Sequence, residues 1–198
     1  MNAPRASAFF ASIRAALVLF LLLTVLTGFL YPLIVTGLAQ LLFPARAAGS
    51  IVTRDGHAVG SRLIGQSFTD PRYFWSRPSA TTPQPYNGTA STGSSLGPLN
   101  PTLLDAVKAR VAVLRAADPG NRAPVPIDLV TSSGSGLDPE ISLAAADYQA
   151  ARVARARGLA PERVQALIAQ HTEGRLLGVL GESRVNVLEL NLALDALK

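Results

Sequence analysis

A chain of 198 residues has room for one domain of ordinary size and an appendage, since domains usually run to about 100–150 residues. Its 18 basic and 13 acidic side chains give a formal net charge of +5, and every basic residue except Lys108 and Lys198 is an arginine. Arginines scattered over several elements favour anionic lipid or an acidic protein surface over nucleic acid. The absence of cysteine excludes disulfides, thiolate metal sites and a cysteine nucleophile.

The first element is apolar. No charge occurs in residues 15–45, and residues 17–30 (LVLFLLLTVLTGFL) are almost purely aliphatic and aromatic. This exceeds the about 20 residues that a helix needs to cross a bilayer, so tilt, a kink at Pro32 or an emerging end absorbs the surplus until Pro44 stops the run. Ala45-Arg46-Ala47 resembles a signal-peptidase site, but a secretory apolar region spans only about 7 to 15 residues, which favours an uncleaved anchor. Thr24 and Gly28 place two small residues one turn apart and offer a helix-packing site. The expected organisation is a short cytoplasmic tail (1–14), a transmembrane helix (15–43) and an extracytoplasmic, periplasmic domain (44–198). The short amino tail, free of acidic residues, is the part expected to stay inside.

Past Pro44 the pattern is that of a compact mixed domain. Asp55-Gly56 supplies the turn of a hairpin between residues 51–53 and 58–59. Residues 76–102 carry five prolines with many Ser, Thr and Gly, which excludes long helices, while Tyr73, Phe74, Trp75 and Tyr86 tie the stretch to the domain. Asn100 or Thr102 caps a helix with apolar positions Leu103, Leu104, Val107, Val111 and Leu114, ended by Asp118-Pro119-Gly120. A short strand is expected over 127–130, a helix from Ser142 to Gly158, and another from Pro161 to about His171. Strand character returns over 185–190, with Asn191 as the cap of a last short helix. The fold class expected is α+β: one N-terminal transmembrane helix followed by a single small mixed α/β soluble domain.

Catalytic signals are sparse. Neither lysine follows the glycines of a Walker-type loop, no phospho-aspartate motif occurs, and His57 and His171 stand without companion metal ligands. Gly93-Ser94-Ser95-Leu96-Gly97 matches G-x-S-x-G, with Asp138 or Asp147 and then His171 following in hydrolase order. A Pro-rich loop precedes it and Pro98 closes it, where an elbow needs a strand before and a helix after. A membrane-tethered extracytoplasmic serine hydrolase using Ser95 is the alternative reading. Ser133-Gly134-Ser135-Gly136 has the small residues that let backbone N–H groups cradle an anion or nucleotide phosphate; Asp138 before Pro139 offers instead a turn and a helix cap. Arg152, Arg155 and Arg157 form a basic helix end, either a solvated face or a surface for an acidic partner.

Ordered blocks along the chain carry a family resemblance. They are Leu63-Ile64-Gly65-Gln66-Ser67-Phe68, Tyr73-Phe74 with Arg77-Pro78-Ser79-Ala80, Pro85-Tyr86-Asn87, the run from Ser133 through Pro139, Gln149 with Arg152-Val153-Ala154, and the run from Val185 through Asp195. With the apolar amino terminus they resemble the C subunit of the Kdp-type high-affinity potassium-transporting ATPase over nearly the whole chain. Thr92 and Ser95 depart from it, standing where the family usually shows glycine and asparagine. The resemblance implies an inner-membrane complex in which a channel-like subunit carries potassium, a P-type subunit hydrolyses ATP and a small membrane subunit assists. This chain is then the non-catalytic accessory member, in contact with those subunits and with lipid and not with nucleic acid. No firmly bound cofactor is implied; a chaperone-like effect on ATP binding by the P-type subunit is, with ATP reached through the complex.

Overall fold

The computed structural model describes residues 3–197, which form two compact units divided between Ser50 and Ile51. In the first, helix α1 (Ala3–Val25) runs through a π turn (Leu26–Leu30) into α2 (Tyr31–Leu42), so helix begins well inside the expected tail. Pro32 explains the π turn. It lacks an N–H, and its ring would press on the carbonyl one turn back, so the helix widens just before it and Tyr31 N–H donates to Leu26 O, five residues earlier. Thr27 Oγ1 donates to Leu23 O at 2.7 Å across the same region. The most apolar 18-residue stretch of the helix Phe9–Leu42 has a mean hydropathy of 2.5, and no residue of the helix is buried. At 1.5 Å per residue this helix is about 50 Å long, more than a hydrocarbon core needs. Phe43 caps it and Pro44 starts one further turn, α3 (Pro44–Ala47).

The second unit opens with a hairpin, β1 (Ile51–Arg54) and β2 (His57–Ser61), in which Arg54 pairs with His57 and Val52 with Gly60 across a bulge. Asp55 and Gly56 both take positive φ, the combination that a two-residue hairpin turn requires. Helix α4 (Pro101–Ala117) starts with Asn100 Oδ1 accepting from Thr102 N–H at 2.9 Å and Pro101 at its first position. Next come β3 (Glu140–Ser142), α5 (Leu143–Arg157), α6 (Pro161–Gln170), β4 (Thr172–Glu173), β5 (Arg184–Asn186) and α7 (Val187–Ala196). The second sheet is antiparallel in the order β3-β5-β4, with Ile141 opposite Val185. The whole is α+β, with α5 at its centre. Ser142 Oγ accepts from Ala145 N–H at 3.0 Å to start α5, and Gly158 at φ +64 ends it. Alanines 145, 146, 150 and 154 keep one face of α5 low, and Phe74, Leu129, Ile141, Val153, Val164, Ile168, Val185, Leu190 and Leu194 close the core.

Three expectations are corrected. Residues 127–129 form a 3-10 turn and not a strand, because Leu129 N–H closes back on Pro126 O and Val130 N–H on Ile127 O. That turn aims Asp128 at the head of α5, where its carboxylate accepts from Ser142 N–H at 2.7 Å and Ser142 Oγ at 3.2 Å. Asp138 caps no helix: its Oδ1 accepts from Glu140 N–H at 2.9 Å and a strand follows. Residues 185–190 are strand only to Asn186. Asn186, not Asn191, caps the last helix, accepting from Glu189 N–H at 3.2 Å, and Val187, Leu190, Asn191 and Leu194 recur at helical spacing on its buried side.

Candidate functional site

Residues 70–77 lie outside any sheet and enter the core at Phe74, Trp75 and Ser76, where buried backbone carbonyls and amides need partners. Side chains supply them. Asn191 pairs in both directions with Phe74, accepting from its N–H at 2.8 Å and donating to its carbonyl at 3.0 Å. Gln149 does the same for Trp75, at 2.8 and 3.1 Å, so two side-chain amides act as a neighbouring strand would. Arg152 donates to the carbonyls of Pro71 and Tyr73 and to Gln149 Oε1, with its guanidinium 4.5 Å from the centre of the Trp75 ring. Arg157 takes Arg72 O at 2.7 Å, Arg110 takes Ser76 O at 3.1 Å, and the Tyr86 hydroxyl takes Arg77 O. With Trp75 Nε1 on Asp70 O, eight consecutive carbonyls, Asp70 through Arg77, each accept from a side chain.

Charge follows from this packing. Burial pushes the Arg152 guanidinium down to about 10, still charged at neutral pH, and three of its N–H donors have acceptors within the fold. Asp195 is governed by two opposed effects: burial raises it, but Arg157, Tyr73 and Arg54 all donate to it and the net direction is down. Arg155 pairs with buried Asp118. Arg152 and Arg157 therefore belong to an internal clamp, while Arg155, its side chain 63% exposed, stays at the surface in a pair with Asp118. A sequence signal existed: Gln149 and Arg152 interrupt the small apolar face of α5, where only an internally satisfied polar group is stable.

The Ser133 to Gly136 loop lies against the irregular 79–93 segment. Ser133, buried, accepts from Gly136 N–H at 2.9 Å, and Ser135 Oγ accepts from Leu137 N–H at 3.1 Å. The outward carbonyls are held too: Ser135 O by Thr92 N–H at 3.0 Å and Ser91 Oγ at 3.0 Å, Gly136 O by Ser79 Oγ at 2.6 Å. Gly136 has φ +67, and a Cβ there would sit 2.5 Å from Thr92 O. Gly134 and Ser135 remain exposed. The loop's hydroxyls thus engage the amide of Gly136 and that of Leu137 just beyond it, and the loop works as a latch between two irregular segments. Asp138, just beyond it, is bound by Arg77 at 2.8 Å. Thr24 and Gly28 lie exposed in the first unit, Gly28 inside the π turn with nothing within 4 Å of its Cβ position.

Ser95 is exposed, in irregular backbone with no strand before it, and among the described residues no hydrogen bond joins it to His171, Asp138 or Asp147. His171 ends α6 and His57 lies exposed on β2. Among the described residues no group of three or more His, Cys, Asp or Glu is placed to hold a metal. A cleft of about 560 Å³ beside Asp138 is lined by Arg77, Asp128, Asp138, Glu140, Glu182 and Arg184. Its charges are paired internally, Arg77 with Asp138 and Arg184 with Glu140 at 2.8 Å.

The comparisons with known proteins agree with one another. A family model described as KdpC, the c chain of K+-transporting ATPase, matches residues 13–196. The potassium-transporting ATPase KdpC subunit of Polaromonas naphthalenivorans is 71% identical over 94% of this chain and 95% of its own length. Those of Variovorax paradoxus and Methylibium petroleiphilum are 70% and 68% identical over 93% and 92% of this chain.

Proposed function

Given that the chain belongs to the KdpC family, the c chain of K+-transporting ATPase, we propose that it is the non-catalytic accessory subunit of an ATP-driven potassium importer, anchored in the inner membrane with its domain on the periplasmic side. The observation that carries this reading is a family match along almost the whole chain, joined to a 34-residue apolar helix with no buried residue. A helix apolar all round needs lipid or other helices around it. Its partners are the channel-like subunit, the P-type ATP-hydrolysing subunit and the small membrane subunit of the same complex, with Thr24 and Gly28 as the close-packing site for a neighbouring helix.

The domain's role is support. Its most elaborate chemistry, the clamp on residues 70–77, is turned inward and makes a stiff body, not a reaction centre. Among the described residues only one helix is long and apolar enough to cross a membrane, so a domain outside has no direct access to cytosolic ATP. Any effect of the Ser133, Gly134, Ser135, Gly136 loop on ATP affinity then travels through the partner subunits as a coupling free energy. The chain has no cysteine, so Ser135→Cys introduces one unambiguous thiol at an exposed position. In cells opened only at the outer membrane, an impermeant thiol reagent should label it in the assembled transporter. Labelling seen only after the inner membrane is opened would reverse the topology and restore direct nucleotide contact.

A further inference from the structure

The β4–β5 hairpin does not end at its paired residues. Beyond Glu173 and Arg184 the chain continues as an ordered tip in which Leu176 and Leu180 exchange backbone hydrogen bonds at 2.8 and 3.0 Å. Leu177 and Gly178 turn it, at φ +54 and +76. The tip shows Leu176 67%, Leu177 84%, Val179 73% and Leu180 57% exposed. Single exposed leucines are ordinary on a protein surface; four exposed aliphatic side chains within the five residues of one fixed turn are not. Leu177 makes the point sharper. Its position in a turn with two positive φ values favours Asn, Asp or Gly, and a bulky residue there is strained, so local folding gives no reason for a leucine. Its side chain is suited to something outside the domain.

The surroundings say what that is. Arg175 pairs with Glu182 at 2.9 Å and Arg184 with Glu173 at 2.9 Å, leaving the hairpin without net charge. Residues 172–186 contain no lysine and no aromatic residue. A loop that enters lipid carries interfacial Trp or Tyr and a basic rim for anionic headgroups, and this one has neither. We infer that the tip of residues 176–180 is a docking knob that seats in an uncharged, aliphatic-lined recess on another subunit of the transporter. This inference rests on the accessory-subunit reading.

The test uses the full chain co-expressed with the other transporter subunits. Leu177→Asn suits the turn better than the native residue and Val179→Thr keeps the strand shape, so each removes apolar surface without disturbing the hairpin. Losing one seated aliphatic side chain should reduce copurification about tenfold or more, while unfolding of the full chain, followed by Trp75 fluorescence, occurs at an unchanged or higher temperature. Unchanged copurification overturns the knob. So does a lowered unfolding temperature in both variants, because the side chains would then serve the domain itself. A Leu177→Cys chain carrying a fluorophore, assembled in lipid discs, should be shielded from nitroxide-labelled lipid; quenching assigns the tip to the bilayer and overturns the inference, as would knob-dependent pairing of two copies of this chain. If the unaltered chain fails to copurify, the accessory-subunit reading itself falls and takes the knob with it.

Discussion

Gln149→Leu isolates the clamp. The side chain is 1% exposed and makes four hydrogen bonds, accepting from Trp75 N–H and Arg152 Nη2 at 2.8 Å each and donating to Trp75 O at 3.1 Å and Ala145 O at 3.2 Å. Leucine has nearly the same volume, so the change removes polarity without opening a cavity. Ala145 O keeps its place in the helix ladder and Arg152 keeps Tyr73 O, but Trp75 N–H and C=O are left buried without partners. At about 1–3 kcal/mol for each of the two orphaned groups, the expected loss is about 2–6 kcal/mol, a large part of the roughly 5–15 kcal/mol that holds a domain together. Trp75 is the single tryptophan and is 5% exposed beneath Arg152, so its fluorescence reports the clamp directly. In a urea titration with a slope of about 2 kcal/mol/M the midpoint should fall by about 2 M. Gln170→Leu, on an exposed position of the neighbouring helix, should stay within about 0.5 kcal/mol. A loss below about 1 kcal/mol in Gln149→Leu would show that the amide is not a surrogate strand and would refute the clamp as the organising device.

Gly136→Ala forces a Cβ to 2.5 Å from Thr92 O and 2.7 Å from Thr81 Cγ2 at a positive φ, and should cost about 1–3 kcal/mol, read by the same titration; wild-type stability would mean that the latch is loose. Asp195 is held below its ordinary carboxyl value of 3.8 on balance, against the upward push of burial. Its stabilisation should therefore be fully present above that value and lost as pH falls through the lower folded one. Urea midpoints measured from about pH 5 down to about pH 2.5 should show an acid limb that Asp195→Asn flattens, and an unchanged limb would assign acid sensitivity elsewhere. Replacing Thr24 and Gly28 together by leucine should weaken copurification with the transporter's other subunits; undiminished yield removes the helix-packing site.

How far the sequence could be read depended on whether local chemistry decided the structure. Asp55-Gly56, Asn100-Pro101, Ser142 with Gly158, and Pro161 each carry their own turn or cap, and the structure agrees at all of them. Aliphatic runs were harder. Val185 through Leu190 suits a strand by residue type, and only the three-residue interval from Asn186 to Glu189 and the buried spacing of Val187, Leu190 and Asn191 reveal the helix. The clamp was harder still, because it joins residues more than 70 positions apart, Phe74 to Asn191 and Trp75 to Gln149. No local pattern encodes that pairing. Family resemblance marked those residues without saying why; the carbonyls of residues 70–77 supply the reason. Neither helical nor strand periodicity singles out the apolar tip at Leu176 to Leu180.

The most direct test of the accessory, non-catalytic role is to purify the potassium-transporting complex through a tag on its ATP-hydrolysing subunit, from cells that contain or lack this chain, measuring composition and potassium uptake. The chain should copurify in fixed ratio with two large membrane proteins, its removal should abolish uptake, and the isolated chain should hydrolyse neither ATP nor an ester substrate. A fully active complex without it, or an isolated chain whose turnover disappears in Ser95→Ala, would contradict that role.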